Sequence, residues 1–107
     1  MTRNRRITAR TVLFACLGTL MTATVALAQL KGEALLKEAR ISLAEARQIA
    51  LKVRPGTIAE QELEREKGGS GLRYSFDINS GGKTYEVGVD AKTGAVLENA
   101  VEGKKPD

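Results

Sequence analysis

Between Leu43 and Val53 the apolar residues Leu43, Ala46, Ile49, Ala50 and Val53 recur at intervals of three and four, which gathers them on one stripe of a helix. Glu45, Arg47, Gln48 and Lys52 fall on the opposite, water-facing side. Ser42 followed by Glu45 is a capping box: the Ser hydroxyl accepts from an orphan amide of the first turn, and Glu45 reaches back to the amide of Ser42. Arg54 precedes Pro55, whose ring disfavours a helical Arg54 and whose missing N–H cannot continue the ladder, so the helix is predicted to stop there. Gly56 then turns the chain away.

Beyond that stop the period changes from 3.6 to 2. Glu60, Glu62, Glu64 and Glu66 alternate with Ala59, Gln61 and Leu63 between Thr57 and Lys67, which predicts a strand with one acidic face and a weak apolar one, with Ile58 at its entrance. Gly68-Gly69-Ser70-Gly71 is a turn. Leu72, Tyr74, Phe76 and Ile78 alternate with Arg73, Ser75, Asp77 and Asn79, the clearest strand in the chain. After the turn at Ser80-Gly81-Gly82, Tyr85, Val87 and Val89 alternate with Thr84, Glu86, Gly88 and Asp90. Asp90-Ala91-Lys92-Thr93-Gly94 reads as a tight turn in which Asp90 bonds forward to backbone amides and Gly94 takes a positive φ. A last strand spans Ala95 to Val101, with either Val96 or Leu97 setting its inward face. The predicted fold class is α+β: one N-terminal amphipathic helix packed on a four-stranded antiparallel sheet, after a cleaved signal peptide.

The helix SLAEARQIALKVRPG, the polar strand TIAEQELEREKGG, the aromatic strand LRYSFDIN and the closing YEVGVDAKTGAVLE together resemble a PepSY domain. That module occurs in the propeptides of secreted metallopeptidases and as a free-standing exported protein. The resemblance covers residues 42–103 and is strongest at VDAKTG, Val89 to Gly94. It implies a binding role, restraint or chaperoning of peptidases in the cell envelope, and it brings no catalytic residues with it.

The rest of the chain divides around this domain. Residues 1–28 combine a basic start, an apolar run from Thr11 to about Leu27 and a small-x-small end at Ala26-Leu27-Ala28, the layout of a secretory signal peptide cleaved after Ala28. The run is about as long as the shortest membrane-spanning helix and is diluted by Thr and Gly, which argues against a permanent anchor. Cys16 lies too near the start for a lipoprotein box, and Thr8 stands where a twin-arginine signal after Arg5-Arg6 carries a bulky apolar residue. Residues 29–41 form a flexible or partly helical lead containing Leu30, Leu35 and Leu36, and residues 104–107 a polar tail.

Charge changes meaning once the leader is set aside. The 107-residue chain has 17 Lys and Arg against 13 Asp and Glu, but Arg3, Arg5, Arg6 and Arg10 all lie in the leader, so the remainder is balanced. A nucleic-acid protein needs a cationic surplus to displace counterions from phosphates, and none survives maturation. The single Cys leaves with the leader and the chain has no His, which removes disulfides, Cys-His and Ser-His catalysis and the usual zinc sites.

Candidate binding chemistry fails position by position. The glutamate row is a straight line of like charges, which calcium, needing converging oxygens from a bent loop, does not use; as an exposed strand face it guards against aggregation or meets a basic partner. The glycines at 68–71 precede a strand and so present no helix N-terminus to a phosphate. Lys92 occupies a position where an EF-hand needs a ligand oxygen. Tyr74 and Tyr85 share the phase of Phe76 and Val87, which assigns them to the core rather than to a stacked ligand. No catalytic, cofactor-binding or metal-ligating residues are assigned, and no cofactor. The expectation is a periplasmic or secreted non-catalytic protein with a polypeptide partner, a peptidase by the resemblance, and with no nucleic acid and no stable membrane insertion. The competing expectation is a structural or ligand-sensing envelope module.

Overall fold

The computed structural model describes residues 28–103, so the expected signal peptide up to residue 27 and the expected polar tail at 104–107 lie outside the described residues. Strand β1, Leu30–Lys31, is followed by a 3-10 helix at Glu33–Glu38, helix α1 at Leu43–Val53, and strands β2 Thr57–Arg65, β3 Leu72–Ser80, β4 Lys83–Asp90 and β5 Val96–Val101. The strands form one sheet in the order β1-β2-β3-β4-β5, antiparallel throughout except that β1 runs parallel to β2. This corrects the expected four-stranded antiparallel sheet to a five-stranded mixed one. It also places two elements ahead of the helix, built from residues 30–38 of the lead. Too short and too polar to show a strand period, Leu30–Lys31 forms only because the edge of β2 is there to pair with.

Helix α1 starts and stops as its sequence dictates. Ser42 Oγ accepts from the amide of Glu45 at 3.0 Å while Glu45 Oε1 accepts from the amide of Ser42 at 3.4 Å, so the capping box is complete. Ala46 and Ala50, fully buried, are the small residues on which the helix lies against the sheet, with Leu43, Ile49 and Leu51 packed at its flanks. Val53, expected on the buried stripe, is the last residue of the helix and is 39% exposed.

On the sheet's inner face Tyr74, Phe76, Ile78, Val87 and Val89 are fully buried beneath α1. Rings of Tyr74 and Phe76 lie 6.3 Å apart and nearly parallel, and the Tyr74 hydroxyl donates to the carbonyl of Ile41 at 2.7 Å. Both tyrosines therefore serve packing, Tyr85 by lying 3.8 Å beneath the guanidinium carbon of Arg54 at the end of α1. An 11-residue helix cannot cover five strands, and the part of the core over β2 is roofed by the lead instead: Leu30, Leu35 and Ala39 pack there, whereas Leu36 is 41% exposed.

Two bulges set which residues face inward. A register shift between Ile58 and Glu60 leaves Ala59 unpaired and exposed, so Ile58, Gln61 and Leu63 face the core and the expected inward Ala59 does not. A second shift, between Gly88 and Val89, pairs Val96 with Val89 and Glu98 with Gly88 and leaves Leu97 without a partner on β4; Val96 is 40% exposed, so neither of the two residues expected to set the inward face of β5 joins the core.

Candidate functional site

With the inner face filled by core, the sheet's outer face and its free edge are the surfaces left for function. Pairing brings the outward residues into rows across the strands: Glu60, Asp77, Glu86 and Ala100 in one, Lys31, Glu62, Ser75, Gly88 and Glu98 in the next, Glu64, Arg73 and Asp90 in a third. The glutamate row read from β2 is thus one edge of a broader acidic face. It reaches β4 and β5 because each strand contributes its own outward carboxylates. A shallow polar depression of about 170 Å³ lies on this face between Lys31, Glu60, Glu62, Asp77, Glu86 and Glu102.

Crowding is visible in the acidities. Glu64, Asp77 and Glu86 all have raised pKa values, first because partial burial penalises their charge and then because neighbouring carboxylates repel them. The Ser75 hydroxyl, donating to Glu64 Oε2 at 2.8 Å, opposes the rise at that residue.

Arg73 is the cation this face buries, and the alternation alone did not single it out. Its side chain is 10% exposed and runs from β3 across β4 to reach Glu98 Oε1 on β5 at 3.4 Å, while Nη2 donates to the Lys67 carbonyl at 3.2 Å. Gly88 permits the crossing, since a Cβ there would sit 3.0 Å from Arg73 Cδ. A glycine inside an otherwise regular strand was the sequence signal for such a close approach.

Asp90 is the other buried charge, 1% exposed. It accepts from the amides of Lys92 at 2.8 Å and Thr93 at 3.1 Å, the forward bonds expected of a turn aspartate, and also from the amide and hydroxyl of Ser70. Burial alone would raise its pKa, but these four donors outweigh it and hold the carboxyl at about 2. The Asp90 carboxylate is spent on structure, with Ala91 behind it accepting the amides of Arg40 and Ile41 at 2.9 and 3.0 Å.

Strand β5 closes the sheet on one side and has no strand beyond it among the described residues. Its six residues offer a row of outward backbone groups, flanked by Val96, which is 40% exposed. Among the described residues no group of three or more His, Cys, Asp or Glu is placed to hold a metal ion, and no helix is long and apolar enough to cross a membrane.

A helix on one face of a small sheet, a carboxylate-rich opposite face and an open edge strand define a small α+β module. The family model described as "Peptidase propeptide and YPEB domain" matches residues 40–99, and the chain belongs to this PepSY family. No curated protein and no solved structure matches it.

Proposed function

We propose that the protein is an exported, non-catalytic module that binds a polypeptide and acts as an inhibitor or regulator of envelope or secreted peptidases. The observation that carries the reading is the free edge of β5, whose amides and carbonyls are available to an extended segment of another chain. Membership of a peptidase-propeptide family supports a peptidase as the owner of that segment. The filled inner face supports the same reading over a ligand sensor. Between helix and sheet, where a small molecule would be enclosed, stand the fully buried side chains of Tyr74, Phe76 and Val87.

Export rests on the leader pattern at residues 1–28, and with it a periplasmic or secreted location. The test is a titration of the mature protein, purified from the envelope fraction, against metallopeptidases and other envelope proteins of the same organism, following binding and residual peptidase activity. Saturable binding with loss of peptidase activity is expected. Failure of every protein to bind, together with stabilisation against heat by a small molecule, overturns the reading in favour of a ligand-sensing module. The depression on the acidic face would then be where that molecule sits.

A further inference from the structure

Strand β1 is two residues long and the sheet's parallel member, with Leu30 opposite Gln61 and Lys31 opposite Glu62. Parallel pairing is the weaker kind per residue, and two residues supply little of it. The side chain beneath β1 shows that the place is nonetheless built. Gln61 is 3% exposed and uses both ends of its carboxamide: Oε1 accepts from Arg47 Nε of α1 at 3.3 Å, and Nε2 donates to the carbonyl oxygen of Ala28. Arg47 can only donate, so it fixes the amide with its NH₂ end toward the edge. A buried N–H needs an acceptor, and a backbone lying extended along β2 supplies one.

The same edge sorts side chains. Leu30 packs against the core on the inner side, and Lys31 Nζ stands 3.7 Å from Glu60 Oε1 on the outer side. Gly32, at φ 80, then turns the chain off the edge where any Cβ would run into the carbonyl oxygen of Leu63.

Ala28 is also the residue after which the leader pattern places cleavage. Cleavage there deletes the carbonyl that Gln61 bonds and leaves a buried donor facing a strand pairing of two residues, Leu30 and Lys31, with one exposed ion pair, the rest of the lead being held further along by Leu35, Ala39 and the Glu38–Arg65 pair. We propose that the β2 edge at Gln61 and Glu62 is a strand-acceptor site for an extended polypeptide segment carrying an apolar residue followed by Lys or Arg, and that Ala28–Lys31 is its resident occupant, loosened by maturation. The proposal rests on the polypeptide-binding reading and adds to it a second, chemically selective edge opposite β5.

The test uses mature protein from the envelope fraction, its first residue fixed by intact mass, labelled with ¹⁵N and titrated with the acetylated peptide Leu-Ala-Gln-Leu-Lys, the sequence of residues 27–31. Saturable shifts are expected at the Gln61 side-chain amide and at the backbone amides of Glu62 and Leu63. Replacing the second Leu of the peptide by Asp, its Lys by Glu, or Gln61 by Leu in the protein should each weaken binding by about tenfold or more, the scale of one lost specific contact. Because Gln61→Leu removes a bond to α1 and can impair folding, the double variant Glu60→Lys, Glu62→Lys on the solvent side serves as the second variant. It should reject the Lys peptide and accept the Glu peptide. Shifts confined to β5 overturn the β2 site and leave the polypeptide-binding reading standing, whereas absence of binding by this peptide and by every envelope protein overturns both. A concentration-dependent dimer that shifts the same β2 amides assigns the edge to a second copy of the chain and overturns the proposed partner.

Discussion

Ser70 holds the Asp90 carboxylate at two points, its hydroxyl donating to Oδ1 at 2.8 Å and its backbone amide to Oδ2 at 2.6 Å. Ser70 sits in the turn between β2 and β3, and Asp90 ends β4, so one buried side chain ties together two loops that are 20 residues apart. Without it the two glycine-containing turns would share no charged contact, and each would order at its own entropic cost.

Asp90→Asn is therefore expected to destabilise the domain, and the wild-type contribution should depend on acid. A carboxyl lowered from 3.8 to about 2 in the fold contributes stability that is fully present above the unfolded value and is lost as pH falls through the folded one. At 1.36 kcal/mol per pH unit that is about 2 kcal/mol. Denaturant midpoints of wild type and variant measured from pH 7 down to pH 2 should converge between about pH 4 and pH 2. Parallel curves would show that Asp90 is not the titrating group.

Gly94 has φ 83, and a Cβ there would stand 3.0 Å from Ile41 Cδ1. Gly94→Val should lower stability by more than the roughly 1 kcal/mol of an ordinary surface change, because a β-branched residue at positive φ is strained and also crowds Ile41. Lys92→Ala, in the same turn, should be nearly silent. Equal midpoints for the two variants would remove the dependence of this turn on glycine.

The acidic face predicts the opposite pH response from Asp90. Glu86 and Asp77 have raised pKa values through partial burial and carboxylate neighbours, so their charged forms oppose folding and the opposition grows as pH rises through the folded value. Glu86→Gln should raise the denaturant midpoint at pH 7 by an increment worth below about 1 kcal/mol, the scale of partly exposed charges. The gain should vanish near pH 3, well below the ordinary Glu value of 4.5, where the wild-type carboxyl is protonated in both states. A gain that persists there would point to packing rather than charge.

Tyr74→Phe removes one hydroxyl and leaves the carbonyl of Ile41 without the bond it accepts at 2.7 Å. A loss of about 1 kcal/mol is expected in thermal or denaturant melts, with the ring packing against Phe76 retained. An unchanged midpoint would mean that water replaces the hydroxyl and that the segment before α1 is not held by Tyr74.

What the sequence determined by itself was local. Helix α1, its Ser42–Glu45 cap and its stop before Pro55, the alternation of β3 and β4, and the forward bonds of Asp90 each depend on residues a few positions apart, where periodicity and side-chain chemistry act directly. The family was legible for the same reason, because its marks are those local patterns. Tertiary structure decided the rest. Residues 30–38 have no period of their own, and their strand and 3-10 turn exist because β2 leaves an edge unpaired and α1 leaves the core over Gln61 and Leu63 unroofed. The bulges at Ala59 and Leu97 follow from strand pairing rather than from either strand alone, which is why Ala59 faces out and Leu97 has no partner on β4. The candidate surfaces belong to this second kind. Glu60, Asp77 and Glu86 are scattered in sequence and adjacent only across β2, β3 and β4, and Arg73 meets Glu98 only because Gly88 lies between them. Cross-strand neighbours are fixed by register, and register is a property of the assembled sheet.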